Sequence, residues 1–91
     1  MENNYKVLFD AVKRVIDSWD PMALLKNGAP GDEYGSEVAQ VVARIKEIRS
    51  EVDAALVLSE VMNMAFDTKV FTSDSCAETG KSIFEKIEGD K

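Results

Sequence analysis

Residues 19–38 are the part of the sequence that most restricts how this chain can fold. They contain the only Trp, both prolines and three of the five glycines. Proline lacks the backbone N–H that a helix interior needs, and glycine weakens a helix through its conformational entropy. The stretch therefore predicts a change of chain direction between one helix before it and further helices after it.

The segments on both sides carry apolar residues at spacings of three and four, which is the pattern of amphipathic helices. The first helix is predicted over residues 3–18. A short helix is predicted over residues 21–27, with Asp20 as its N-cap, Pro21 at its first position and Gly28 ending it in a left-handed conformation. Three more main helices are predicted over residues 36–49, 51–67 and 74–88.

Ser36 and Ser50 are the predicted N-caps of the two middle helices. The four residues from Ser50 to Asp53 resemble a capping box, with Asp53 where Glu is usual. Gly80 lies inside the last helix and is predicted to weaken it by about 1 kcal/mol relative to Ala.

The helix predicted over residues 51–67 is apolar on most of its sides, as is usual for a helix at the centre of its bundle. The alternative is that its second apolar side is buried between subunits, in a homodimer or a larger structural homo-oligomer. Together the segments predict one all-α domain over residues 1–91. Its predicted architecture is a compact bundle of four main helices plus one short helix after the first.

The charge of the chain restricts its partners. Eleven Lys and Arg residues against seventeen Asp and Glu residues give a net charge of -6. Nucleic acid is not expected to bind, because phosphate binding needs clustered cations, whereas a basic protein surface is electrostatically compatible.

Cysteine content and hydropathy indicate the compartment. The single Cys excludes an internal disulfide, and the longest strictly apolar run, residues 54–58, is far too short to cross a bilayer. The first residues are polar and do not have the pattern of a signal peptide. We expect an unprocessed cytoplasmic protein without a membrane span.

The sequence lacks the motifs of the commonest catalytic mechanisms. It has no His, no Cys-X-X-Cys, no Gly-Lys-Ser/Thr phosphate loop and no Gly-X-Gly-X-X-Gly pattern. We therefore expect a protein that is not an enzyme and has no cofactor. Cys76, near the start of the last helix, is expected to be a buried apolar residue rather than a reactive thiolate, because Asp74 and Glu78 place negative charge beside it.

The candidate functional site is an acidic cluster with two aromatic residues. We predict that it binds a partner protein with a basic patch. Trp19 is expected to close the core stripe of the first helix, and the alternative is that it is an exposed aromatic anchor beside the acidic cluster. The predicted site residues are Trp19, Asp20, Asp32, Glu33, Tyr34 and Glu37.

Two other interpretations of this cluster stay open. Asp32, Glu33 and Glu37 could hold Ca²⁺, Mg²⁺ or a small ligand, although the ligand spacing of an EF-hand loop is absent. Alternatively the cluster is structural: its acids favour the N-terminal dipole of the next helix, Trp19 closes the apolar stripe of the first helix, and Tyr34 packs its ring while its hydroxyl reaches solvent.

The same stretch resembles the YugE-like family, small bacterial helical proteins of unknown function. The matching residues are Trp19-Asp20-Pro21, Leu24-Leu25 and Gly28-Ala29-Pro30-X-Asp32-Glu33-Tyr34. The similarity is clearest over residues 5–48, and the family pattern often has Asp-Pro where Gly35-Ser36 stand here. The resemblance implies a compact α-helical fold, a bacterial cytoplasmic setting and a defined loop over residues 28–34. It implies no activity and no functional residues.

The sequence therefore favours a non-enzymatic protein–protein interaction module. One specific version is an immunity-type protein, a small acidic helical chain that neutralises a nuclease toxin by mimicking phosphate charge. The alternatives are a divalent-metal or small-ligand binder that uses the carboxylates, and a structural homo-oligomer.

Overall fold

The computed structural model of the chain describes residues 4–21, 25–28 and 33–89. Its helices are α1 (Asn4–Trp19), α2 (Gly35–Ala43), α3 (Glu51–Ala65) and α4 (Ala77–Gly89), with a 3₁₀ helix at Ile45–Glu47. No strand occurs in these ranges, so the prediction of an all-α fold with four main helices is confirmed. None of these helices is long and apolar enough to span a bilayer.

The helices pack in a ring in which each has two main neighbours. α1 packs against α2 and α4, and α3 packs against the same two helices. One apolar core fills the space between them, and its completely buried side chains come from every helix and from the segments that precede α2 and α4. These are Val12, Ile16, Tyr34, Val38, Leu58, Met62, Cys76 and Ile83. The predicted compact bundle is thus confirmed.

The segment predicted as one helix over residues 36–49 is divided in the structure. The α-helical part stops at Ala43, the next residues tighten into the 3₁₀ helix, and Ile48 is extended with φ -98° and ψ 99°. This change keeps Ile48 in the core, where it is 5% exposed, while the chain turns toward α3. The spacing of three and four predicts that Ile48 belongs to the apolar side of this segment, but it could not show that the helix tightens, because 3₁₀ and α turns share nearly the same apolar spacing.

The predicted cap of α3 is confirmed, whereas the predicted cap of α2 is wrong. Ser50 Oγ accepts a hydrogen bond of 3.1 Å from the backbone N–H of Asp53, and Asp53 Oδ2 accepts one of 3.0 Å from the N–H of Arg49. Ser36 instead lies inside α2, because that helix already begins at Gly35. Tyr34 occupies the N-cap position and makes no side-chain capping hydrogen bond there.

α4 approaches α3 very closely at Gly80. A Cβ atom added to Gly80 would lie 2.7 Å from the backbone N and 2.9 Å from the Cα of Ala55. Gly80 is therefore where two helix backbones meet, and its missing side chain allows the contact.

α3 is not surrounded on all sides by its own chain. Ala54, Leu58 and Met62 are buried, but Val52 is 65% exposed, Leu56 44% and Met64 80%. The expectation of a helix at the centre of the bundle is wrong for this side of α3. Burial of these side chains between subunits stays a prediction.

The structure describes only part of the segment predicted as a short helix over residues 21–27. Pro21 and residues 25–28 are in turns, and residues 22–24 lie outside the described ranges. Gly28 has the predicted left-handed backbone, with φ +97°, and its N–H donates to Leu25 O at 3.1 Å.

Candidate functional site

Asp20 organises the chain directly after α1. Its own N–H closes the helix by donating to Ile16 O at 2.8 Å, and its backbone then becomes left-handed with φ +45°, a conformation that Asp tolerates better than most residues. Its carboxylate turns back to accept hydrogen bonds from the backbone N–H groups of Leu25, at 3.2 Å, and Lys26, at 2.9 Å. Asp20 therefore holds the turn in place, which differs from the predicted N-cap role at Pro21.

Tyr34 binds the same carboxylate from the other end of the loop. Its hydroxyl donates a hydrogen bond of 2.6 Å to Asp20 Oδ1, and the side chain is completely buried. The ring meets Phe66, at the end of α3, edge to face with centroids 6.3 Å apart. The expectation that the Tyr34 hydroxyl reaches solvent is therefore wrong.

Glu33 and Glu37 differ in their exposure to solvent. Glu33 is exposed, whereas Glu37, in the first turn of α2, is 8% exposed. Glu37 Oε1 accepts no hydrogen bond from the described residues. The carboxylate gains from the positive end of the α2 dipole, which favours negative charge in the first turn. Of these two acids, only Glu33 can meet a partner without rearrangement.

Trp19 is partly exposed at the end of α1. Its ring meets Phe71 edge to face, with centroids 5.8 Å apart. One side of the indole thus belongs to the core, as the structural interpretation expected, and the rest borders a surface groove. Asp32 lies outside the described residues, so its place in the candidate site stays a prediction.

Trp19 and Glu33 flank the contact between Asp20 and Tyr34 in the sequence. Each is a direct chain neighbour of one partner in the Asp20–Tyr34 hydrogen bond. Asp20 and Tyr34 form the inside of the site, and the two outer residues are its accessible groups. Sequence reasoning placed these residues in one region but did not separate supporting side chains from accessible ones.

The metal interpretation gains no geometric support from the described part of the chain. Within residues 4–21, 25–28 and 33–89, no three Asp, Glu or Cys side chains are placed to hold a metal ion. A site that includes Asp32 stays a prediction because that residue is not described.

Cys76 is buried, as expected. It is completely shielded from solvent, and its N–H donates to Thr72 O at 3.0 Å. Burial raises the pKa of the Cys76 thiol, because a thiolate would lose its hydration, and the contact with Ser75 opposes this only in part. The thiol is therefore held in its unreactive form.

A groove between α1 and α4 was missed by sequence reasoning. It has a volume of about 480 Å³ and runs beside Trp19. Arg14 from α1 and Lys86 from α4 are among the residues that line it. The two cations are 72 positions apart in the sequence, so only the packing of the helices could show that they share a surface.

Comparison with known proteins gives no match: no family model, no curated protein and no solved structure is significantly similar to this chain. The resemblance to the YugE-like family consequently stays a prediction.

Proposed function

We propose that this chain is a non-enzymatic protein-interaction module that presents its acidic turn to a basic surface of a partner protein. The acidic turn is defined as Asp32 and Glu33, in the chain between α1 and α2, and Trp19 at the end of α1 is its proposed aromatic contact. The observation that carries the proposal is the Asp20 carboxylate, which accepts hydrogen bonds from two backbone N–H groups and from the Tyr34 hydroxyl.

These hydrogen bonds support binding because they hold Leu25, Lys26 and Tyr34 against Asp20 before a partner arrives. A loop that is already ordered loses less conformational entropy on association than a flexible one. Binding residues are also often found on loops that a rigid scaffold positions. The contact of Asp20 with the buried Tyr34 is such a support, since it joins the end of α1 to the start of α2.

The accessible residues have the chemistry of an interface. Trp is among the residues enriched at the energetic centres of interfaces, and Trp19 is only partly buried. Glu33 is exposed, and the net charge of -6 favours encounter with a basic partner. An immunity-type protein that covers a nuclease toxin is the specific version of this proposal.

The test is a pull-down from native lysate with the tagged protein and with an Asp32→Lys/Glu33→Lys variant. The matched control is Glu51→Lys, which reverses an exposed charge at the start of α3. We expect a specific protein that is captured by the wild type and the control and lost by the double variant. Equal capture by all three proteins would place the partner elsewhere on the surface.

A structural homo-oligomer is the second candidate, favoured by the exposed apolar side of α3. Val52, Leu56 and Met64 lie at multiples of four residues and follow one face of that helix. Sedimentation over a range of protein concentrations tests it, with Leu56→Glu as the variant and Val70→Glu, an exposed residue outside α3, as the control. A concentration-independent monomeric mass for the wild type would exclude this candidate.

A further inference from the structure

The groove between α1 and α4 has the composition of an anion-binding site, although the chain as a whole is acidic. Arg14 comes from α1 and Lys86 from α4, and both side chains are exposed. Neither makes an ion pair or a hydrogen bond with any residue in the described ranges. Lys13, one residue before Arg14, is instead paired with Asp17 at 2.6 Å.

Hydroxyl groups line the same groove. Ser18 lies one helical turn after Arg14 on α1, and Thr79 and Ser82 lie on the facing side of α4. Hydroxyls donate hydrogen bonds to anionic oxygens, and Arg and Lys add charge-assisted donors. The groove therefore brings together two cationic and three neutral donor side chains.

One acid opposes this charge. Glu78, in the first turn of α4, is the only carboxylate among the described residues that line the groove. The local balance is two cations against one anion, which is the reverse of the balance over the whole chain. Trp19 forms part of the groove wall, so a bound molecule would lie beside an aromatic ring.

We propose that this groove binds the phosphate group of a small phosphorylated molecule. Arg14 and Lys86 hold the phosphate oxygens, the hydroxyls of Ser18, Thr79 and Ser82 complete the donors, and Glu78 limits the affinity. Phosphate fits better than a single carboxylate, because its three terminal oxygens can accept hydrogen bonds from several donors at once. The site goes beyond the proposed function, since neither cation belongs to the acidic turn.

The fluorescence of Trp19 can be used to measure binding in the groove. Trp19 is the only Trp in the chain and it lines the groove, so its fluorescence reports binding without a label. The protein is titrated with inorganic pyrophosphate at constant ionic strength, with sodium chloride as the reference salt. We expect a saturable change with half-saturation at about 1 mM or below, the range of weak binding in an open site.

Variants that remove one charged side chain test whether pyrophosphate binds in the groove. Arg14→Gln and Lys86→Gln should each weaken pyrophosphate binding by about fivefold or more, because each removes a charge-assisted donor. Glu78→Gln should strengthen it by about twofold or more, because it removes a like charge. Lys81→Gln, an exposed cation on α4 that does not line the groove, is the matched control and should bind as the wild type does. Circular dichroism confirms that every variant folds.

Two further measurements identify the ligand class and the place where it binds. ADP is titrated beside pyrophosphate: tighter binding of ADP assigns the site to a nucleotide, and equal or weaker binding assigns it to the phosphate group alone. Amide NMR shifts at Thr79 and Ser82 check that the ligand lies in the groove. The proposal is overturned if no saturable change occurs up to about 10 mM pyrophosphate, or if Arg14→Gln and Lys86→Gln bind as tightly as Lys81→Gln.

Discussion

The hydroxyl of Tyr34 donates a hydrogen bond of 2.6 Å to Asp20 Oδ1 across 14 positions of the sequence. This contact closes the loop between α1 and α2 from inside the protein. The same carboxylate accepts hydrogen bonds from two backbone N–H groups. One side chain is thus the acceptor for both the backbone of the turn and the hydroxyl of the buried Tyr34. The Asp20–Tyr34 contact therefore connects the end of α1 to the start of α2.

Tyr34→Phe should lower the free energy of unfolding by about 1.5–3 kcal/mol, since it removes a hydrogen bond to a charged group and leaves the ring in place. Urea denaturation of the wild type and the variant measures this. Tyr5→Phe is the control, because Tyr5 is the only other Tyr and is 58% exposed. An equal effect of both substitutions would mean that the Asp20 contact does not stabilise the fold.

Gly80→Ala should destabilise the protein by about 1–3 kcal/mol, the usual cost of overpacking. Helix propensity alone predicts the opposite, a gain of about 1 kcal/mol. The close backbone of Ala55 decides the sign, because it cannot move aside as a flexible side chain can. Thermal unfolding compares this variant with Gly89→Ala, where nothing lies within 4 Å of the added Cβ. A stabilised Gly80→Ala protein would contradict the close crossing of α3 and α4.

Ser50→Ala should lower the free energy of unfolding by about 1 kcal/mol, because it removes the side-chain cap of α3. Ser36→Ala should change the stability by less than about 0.5 kcal/mol, since Ser36 is exposed and does not cap α2. Chemical denaturation of the two variants tests both expectations. Equal losses in the free energy of unfolding for the two variants would contradict the conclusion that Ser50 caps its helix and Ser36 does not.

The Cys76 thiol should react slowly with a thiol reagent in the native protein and at the normal rate of a free thiol in urea. Two causes act together: the side chain is completely buried, and its raised pKa lowers the fraction of reactive thiolate at neutral pH. A spectrophotometric thiol assay with and without urea measures the two rates. Rapid stoichiometric reaction of the native protein would show that Cys76 is accessible.

Glu47 should titrate below its ordinary pKa, because the Arg44 guanidinium donates hydrogen bonds of 3.1 and 2.8 Å to its Oε1. A carboxylate whose pKa is lower in the folded state stabilises the fold above its unfolded pKa, and this contribution is lost as the pH falls through the folded value. NMR titration of Glu47 gives its pKa, and Arg44→Gln should raise it. The contribution to stability should be small because the pair is on the surface. An unchanged Glu47 titration in the variant would contradict the role given to Arg44.

The sequence by itself determined the fold class, most helix positions and the cap of α3. These follow from local physics: spacing of three and four places apolar residues on one face, and Ser50 caps a helix through residues only three positions away. The left-handed Gly28 is equally local, since its conformation depends on its missing Cβ. The candidate region was also visible in the sequence, as an unusual concentration of Trp, Pro, Gly and acids.

Only the tertiary structure decided what individual residues in these patterns do. Gly80 weakens an isolated helix but permits the contact with Ala55, and Asp20 belongs to an acidic run but faces inward to Tyr34. The groove likewise depends on α4 packing beside α1, which brings Arg14 and Lys86 to one surface. In each case the deciding partner is distant in the chain. Composition and periodicity report which residues prefer burial, but not which distant residue each one meets.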